Sequence, residues 1–264
     1  NILMLGVTYK GVAFPLLFAM LDKHGNSNWK ERTQLIDRFI RLFGAECIDS
    51  LVADREFVGK QWVEYLNNRR IRYYLRIKQN FWLRNPKSCQ DVRAWHLFHG
   101  LKLGQERVYD KLFLLKGEYV YIAGAMLKNS DGVPELQILI CYNRPEAAVA
   151  TYKQRWQIET CFRAMKSSGF NIEDTHLRDI DRIARLTAMV CVALVWAYLV
   201  GEHKDRNVKS IRILKHGKRA KSLVKYGLEE ITNVLLRPLY KQKFDVFKFL
   251  HVLRSSAISW HAVE

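Results

Sequence analysis

The alternation of strand and helix patterns over the first 77 residues constrains the fold of this chain more than any other sequence feature. Two apolar runs, residues 2–9 and 12–21, flank Lys10-Gly11, which predicts two strands joined by a tight turn. The pattern then alternates, and we expect a helix at 29–43, a strand at 47–53, a helix at 58–70 and a strand at 72–77. In a chain of 264 residues this order predicts an α/β fold in one large domain, or in one domain with an insertion.

The pattern changes at residue 78, where short strands separated by turn residues replace the alternation. Strands are predicted at 113–115, 119–125 and 136–141. From Arg144 onward the chain is predicted to be mostly helical, with helices that begin near Pro145, Leu186 and Leu228. We therefore divide the sequence into residues 1–78, a β-rich insertion at 79–144 and a helical part at 145–264.

The net charge limits the kinds of partner that this chain can have. Lys and Arg number 43 against 26 Asp and Glu, which gives a formal net charge of +17. A surplus of that size indicates a polyanion or an anionic membrane surface as the partner. The uncharged run at residues 186–200 is shorter than the roughly 20 residues that span a bilayer. We interpret it as a buried core helix and expect no membrane insertion.

Signatures of several other protein classes are absent from the sequence. The five cysteines form no CxxC or CxxH pair, which excludes a zinc ribbon or a thioredoxin-like site and favours a reducing cytoplasm. The eight histidines form no HExxH motif. There is also no GxGxxG or Walker A sequence, so nicotinamide or ATP-driven chemistry has no support.

An acidic residue, Asp54, follows the predicted strand at 47–53. The carboxyl ends of strands in open α/β sheets are where ligands bind, and a carboxylate there can hold a hard cation. The alternative is that Asp54 caps the N-terminus of the following helix.

Four polar residues recur along the predicted helix after Pro145. At about 100° per residue, Tyr152, Arg155, Glu159 and Lys166 fall within an arc of roughly 60°. A carboxylate flanked by cations on one face suits a metal-bound phosphodiester, because the carboxylate binds Mg²⁺ while the cations hold phosphate oxygens. The alternative is a solvated face with an i, i+4 pair between Arg155 and Glu159.

These two motifs together resemble a known family. The pattern Tyr152-x2-Arg155-x3-Glu159-x6-Lys166 matches the Y-R-E-K signature of DDE transposases of bacterial insertion sequences, of the IS-four type. The segment Ala53-Asp54-Arg55-Glu56-Phe57 is similar to the one that carries the second acidic residue in that family. The order of elements is similar to its RNase H-like core, a mixed sheet flanked by helices with a β-rich insertion between the second Asp and the Glu.

The resemblance implies metal-dependent DNA cleavage and strand transfer at transposon ends. Asp54 and Glu159 would be catalytic metal ligands for two Mg²⁺ ions, with Mn²⁺ as a substitute, and Tyr152, Arg155 and Lys166 would contact DNA. The implied partners are double-stranded DNA, bound sequence-specifically at the ends and also as target, and a second copy of the protein. The implied location is the bacterial cytoplasm.

One acidic residue that the resemblance implies has no counterpart in the sequence. It belongs on a strand before residues 2–9, whereas Asp22 falls in a turn, Asp37 in a helix and Asp49 in a strand. We expect the missing Asp to lie upstream of Asn1 in a longer protein, and expect residues 1–264 alone to be inactive. A non-catalytic DNA-binding remnant of a transposase is the alternative, and an RNase H-like nuclease or resolvase is a third reading.

Two tryptophans are candidates for stacking on DNA bases. Trp156 directly follows Arg155, and in similar transposases a Trp at this place packs against a displaced base near the transposon end. Trp82, in the predicted insertion, is a weaker candidate for the same role. The alternative for both is packing in the core.

A basic segment, residues 203–227, holds nine Lys or Arg against one acid. Such clustering favours contact with the phosphate backbone of DNA, and Val208, Ile211 and Leu214 within it indicate an ordered segment. The alternative is a solvated surface of like charge. The candidate DNA contacts in this segment are Lys215, Lys218, Arg219 and Lys221.

Overall fold

A computed structural model of the chain describes residues 1–167, 169–215 and 217–236. The chain forms two compact units. Residues 1–11 and 17–157 make up the first unit, and residues 12–16 together with those from 158 onward make up the second. Residues 237–264, which belong to the helical part predicted at 145–264, lie outside the described residues.

The strands form a two-stranded and a seven-stranded sheet. The first contains β1 (Ile2–Tyr9) and β2 (Val12–Met20). The second contains β3 (Leu51–Ala53), β4 (Tyr73–Ile77), β5 (Trp82–Arg84), β6 (Asp91–Arg93), β7 (Glu106–Leu115), β8 (Glu118–Lys128) and β9 (Pro134–Cys141). Its strand order is β3-β4-β9-β8-β7-β5-β6. Since β3 and β4 run parallel and β4, β9, β8 and β7 pair antiparallel, the sheet is mixed, and the predicted fold class is confirmed.

Helices flank this sheet and continue into the second unit. They are α1 (Trp29–Phe43), α2 (Lys60–Asn68), α3 (Ala148–Tyr152), α4 (Trp156–Lys166), α5 (Ile180–Asn207) and α6 (Leu223–Leu236). The first of them begins and ends where its sequence dictates. Asn28 and Glu31 form a reciprocal capping box at its start, and Gly44 ends it with a φ of 89°, a conformation that favours glycine.

The seven-stranded sheet is covered on both faces, because alternate residues of a strand point to opposite sides. On one face, Leu75 belongs to a buried cluster that includes Trp62 and Leu66 of α2. On the other face, Tyr74 belongs to a cluster that includes Val149 and Tyr152 of α3. The packing of α3 against this face places Tyr152, at the C-terminal end of α3, near β3 and β4.

Two predicted elements next to the candidate site differ from the structure. The strand expected at 47–53 is limited to residues 51–53, because Gly44 is followed by a 3₁₀ turn at Ala45–Cys47. The single helix expected after Pro145 is divided, and a 3₁₀ turn at Lys153–Arg155 separates α3 from α4. The rise and rotation per residue change at that turn, so 100° per residue does not hold between Tyr152 and Glu159.

In the second unit α5 and α6 cross at two glycines. A Cβ built on Gly227 would lie 1.8 Å from the carbonyl oxygen of Ala197, and one built on Gly201 would lie 2.0 Å from that of Leu223. The two backbones therefore touch at the crossing. Next to it, Lys204 of α5 forms an ion pair with the buried carboxylate of Glu230 on α6.

Within the described ranges, α5 is the one helix that is long and apolar enough to cross a membrane. Its most apolar 18-residue window is 33% buried, and Thr187, Leu194 and Ala197 are fully buried. A single helix of this kind is weak evidence for a membrane span, since core helices of soluble proteins have the same length and composition.

Candidate active site

Asp54 lies directly after β3, at the edge of the seven-stranded sheet. Its Oδ1 atom accepts a hydrogen bond of 2.7 Å from the backbone N–H of Arg55, so Asp54 caps the short 3₁₀ turn Arg55–Phe57. The predicted capping alternative thus applies to this turn, whereas the N-cap of α2 is Gly59, which has no side chain to cap it. The Asp54 side chain stays 39% exposed, which leaves the carboxylate accessible to a ligand.

Arg155 reaches the same carboxylate from the 3₁₀ turn between α3 and α4. Its Nη1 atom lies 3.8 Å from Asp54 Oδ2, and its side chain is 18% exposed. The carboxylate and the guanidinium, from two motifs far apart in the sequence, are therefore neighbours within the first unit. A guanidinium in that place can hold an anionic oxygen beside a carboxylate-bound cation.

Unlike Arg155, Tyr152 is buried and does not contact Asp54 through a hydrogen bond or ion pair in the described residues. Its ring is buried against the second face of the sheet, and its buried hydroxyl has no partner within hydrogen-bond geometry among the described residues. Burial raises the pKa of this phenol, so it stays protonated at neutral pH. The Arg155 guanidinium carbon lies 5.6 Å from the ring centroid, so the ring forms one wall of the pocket that holds Arg155.

Removal of the Tyr152 hydroxyl is expected to leave the protein as stable as before, because a buried hydroxyl without a partner contributes no stabilisation. In urea unfolding, Tyr152→Phe should keep the free energy of unfolding or raise it by about 1 kcal/mol. Tyr152→Ala should lower it by about 3–5 kcal/mol through loss of the buried ring. A loss of more than about 1 kcal/mol in the Phe variant would show that the hydroxyl has a partner.

Glu159 and Lys166 lie on α4, in the part of that helix that belongs to the second unit. Seven residues correspond to about 700° of rotation, so the two side chains lie on nearly the same face of α4. The ammonium of Lys166 also forms an ion pair of 2.6 Å with Glu173. Across the described ranges no group of three or more His, Cys, Asp or Glu residues is arranged to hold a metal ion.

Arg32 is a residue near the site that was not predicted from the sequence. Arg32 is 8% exposed, and its guanidinium lies over the ring of Phe57. The guanidinium donates a hydrogen bond of 3.2 Å to the carbonyl oxygen of Glu56, and its Nε atom donates to the hydroxyl of Ser27. It thus fixes the turn that Asp54 caps. The sequence could have indicated this role, because Arg32 lies three residues before Leu35 and therefore on the apolar face of α1.

The two candidate stacking tryptophans are both exposed. Trp156 is 52% exposed and Trp82 is 54% exposed. The alternative of core packing is therefore wrong for both side chains. The guanidinium of Arg93 lies 3.9 Å from the Trp82 ring centroid, on the neighbouring strand β6.

The five cysteines are free thiols. Burial raises the pKa of Cys161 to about 12 and that of Cys191 to about 11, so both thiols are protonated at neutral pH. Cys161 and Cys191 therefore pack as small apolar side chains.

Comparison with known proteins identifies the family of the chain. No curated protein matches the chain. A family model described as "Transposase DDE domain" matches residues 20–196, about two thirds of the chain and including both Asp54 and Glu159. Domains of this family generally use divalent metal ions, act on DNA as transposases and are generally cytoplasmic. The chain belongs to the transposase DDE-domain family.

Proposed function

We propose that this chain is the catalytic core of an IS-four-type insertion-sequence transposase with the Y-R-E-K signature. It would hydrolyse phosphodiester bonds at transposon ends and transfer the resulting strands to target DNA. The ion pair between Arg155 and Asp54 carries the proposal, since it joins the Y-R-E-K motif to the acidic residue after β3.

Asp54 and Glu159 are the proposed metal ligands. Carboxylate oxygens are the donors that Mg²⁺ prefers, and Mg²⁺ is commonly held by one or two carboxylates together with water and substrate phosphates. The carboxylate of Asp54 fits that donor set, because its side chain is 39% exposed although Arg55 and Arg155 both contact it. Two Mg²⁺ ions are proposed, with Mn²⁺ as a substitute.

The other residues of the motif have proposed roles toward the DNA. When bound, the metal ions activate water or a 3′-OH for in-line attack on phosphorus. Arg155 would hold a phosphate oxygen next to Asp54, and Lys166 would hold another from α4. Tyr152 is a positioning residue, because its buried ring supports the Arg155 guanidinium. Trp156, exposed beside Arg155, would stack on an unpaired base.

The resemblance implies three carboxylates, of which the chain supplies Asp54 and Glu159. We therefore propose that residues 1–264 alone do not cleave DNA. The active transposase would bind transposon ends sequence-specifically, use double-stranded DNA as target, and act as a homodimer in the bacterial cytoplasm.

The dependence of cleavage on metal tests this proposal. The full-length protein, incubated with a duplex that carries the element's ends, is expected to release 3′-OH products in Mg²⁺ or Mn²⁺ and none in EDTA. Restoring Mg²⁺ to the EDTA sample should restore the products. Equal product in EDTA and in Mg²⁺ would contradict the proposal.

A further inference from the structure

The basic segment forms a short β-hairpin in the second unit. Ile213 pairs with Arg219 in an antiparallel bridge, and the backbone N–H of Leu214 donates to the carbonyl of Lys218 at 2.8 Å. The backbone N–H of Ala220 donates to the carbonyl of Arg212, also at 2.8 Å. We call residues 211–215 and 217–220 the basic hairpin; residue 216 lies outside the described residues.

Asp205, near the end of α5, anchors this basic hairpin. Its Oδ1 accepts from the backbone N–H of Ile211 at 2.6 Å, and its Oδ2 lies 3.1 Å from Nη2 of Arg219. The Asp205 side chain is 12% exposed, so this pairing is largely shielded from solvent. Ile211 is itself buried, and Tyr226 of α6 holds the preceding chain by donating to the carbonyl of Lys209 at 2.9 Å. The basic hairpin is therefore fixed to α5 and α6.

Ion pairs separate the cations of the segment into two groups. Four cations are held by carboxylates of the same unit, in the pairs Lys204–Glu230, Arg206–Glu202, Arg219–Asp205 and Lys221–Glu229. In contrast, Arg212 and Lys215 are exposed and have no carboxylate partner among the described residues. Two of the predicted DNA contacts, Arg219 and Lys221, thus have a partner within the protein.

The alternation of side chains along the basic hairpin places its cations on different faces. Arg212 lies opposite Ala220, and Leu214 lies opposite Lys218, so the side chains of Arg212 and Lys218 share one face. Arg219 belongs to the other face, where it meets Asp205. Lys215 is at the turn. One face and the tip therefore present three exposed cations in fixed positions.

From this arrangement we infer that the basic hairpin contacts the phosphate backbone of double-stranded DNA through Arg212, Lys215 and Lys218, with Arg219 as a positioning residue. The inference rests on the proposed function and adds to it a sequence-independent contact outside the Asp54 site. A two-stranded ribbon has the width of a DNA groove, and cations along it reach phosphates. Each phosphate contact releases counterions, which makes binding salt-dependent.

The salt dependence of DNA binding tests this inference without cleavage. The equilibrium affinity for a duplex is measured from about 50 to 300 mM NaCl for three proteins. These are the full-length protein, a triple variant that carries Arg212→Gln, Lys215→Gln and Lys218→Gln, and a control variant. The control is Lys87→Gln, Lys102→Gln, Lys128→Gln, which removes the same charge from three exposed lysines of the first unit. Two unrelated duplexes are used for each protein.

The basic hairpin variant is expected to lower the slope of log affinity against log salt by about three and to weaken binding by about 10²-fold at 0.1 M salt. The loss should be equal on both duplexes, and the control should keep the parent slope. Equal slopes for the two variants would overturn the inference while the proposed function stands. Parent protein that binds neither duplex would overturn both. Unchanged melting temperatures of the variants would show that the fold is retained.

Discussion

Asp54→Asn and Glu159→Gln are each expected to abolish Mg²⁺-dependent end cleavage by the full-length protein while DNA binding survives. Each change keeps the shape of the side chain but removes the negative charge that a divalent cation requires. Loss of a metal ligand removes several kcal/mol of transition-state stabilisation, which corresponds to a rate decrease of about 10³-fold or more. Single-turnover cleavage of an end-bearing duplex measures the rate, and a binding titration in Ca²⁺ measures affinity.

Matched acidic residues provide the controls for these two variants. Asp49→Asn removes a carboxylate just before β3. The Asp49 side chain is 88% exposed and pairs with Arg72. Asp181→Asn removes an exposed carboxylate from the first turn of α5, in the same unit as Glu159. Both controls should cleave within about twofold of the parent protein, since surface substitutions away from a site cost little. A normal cleavage rate in Asp54→Asn or Glu159→Gln would leave the proposed metal site without support.

The second large effect is expected at the crossing of α5 and α6, where Gly227→Ala should destabilise the protein. In an ordinary helix this change stabilises by about 1 kcal/mol, because alanine has the higher helix propensity. At Gly227 the new methyl group would lie 1.8 Å from the carbonyl oxygen of Ala197 and 2.6 Å from the backbone nitrogen of Gly201. Backbone atoms cannot rotate away, so the helices must separate at a cost of about 3 kcal/mol or more.

Thermal unfolding followed by circular dichroism measures this loss. For a chain of this size a cost of about 3 kcal/mol lowers the melting temperature by about 6–12 °C. Gly59→Ala is the matched control, because Gly59 has an extended backbone and a methyl group added there would meet nothing within 4 Å. A melting temperature of Gly227→Ala at or above that of the control would mean that the two helices do not touch as described.

The elements with strong local signals were predictable from the sequence. The helix α1 was predicted with both of its ends, because Asn28 and Gly44 mark them and its apolar residues follow a helical period. The position of Asp54 after a strand was also predictable. The Y-R-E-K spacing located Arg155, but its contact with Asp54 depends on how α3 packs against the sheet, which local sequence does not specify.

Other features depend on long-range contacts and were missed for that reason. The 3₁₀ turn at Lys153–Arg155 interrupts a sequence with continuous helical periodicity, so the predicted common face of four residues assumed a regular helix that the chain does not form. Core packing was the alternative given for Trp82, yet its side chain is 54% exposed and it pairs with Arg93 on β6. Arg219 pairs with Asp205 of α5 and Lys221 pairs with Glu229 of α6, and both pairs depend on how the basic segment folds against these helices.

The seven-stranded sheet begins and ends with strands of three residues, β3 and β6. Unpaired backbone groups at a sheet edge can recruit a strand from another molecule, and short or charged edge strands prevent this. The strand β6 carries Asp91 and Arg93, and β3 ends directly before Asp54. A domain that carries a large apolar core is thereby protected against edge-to-edge aggregation while it is being synthesised and folded.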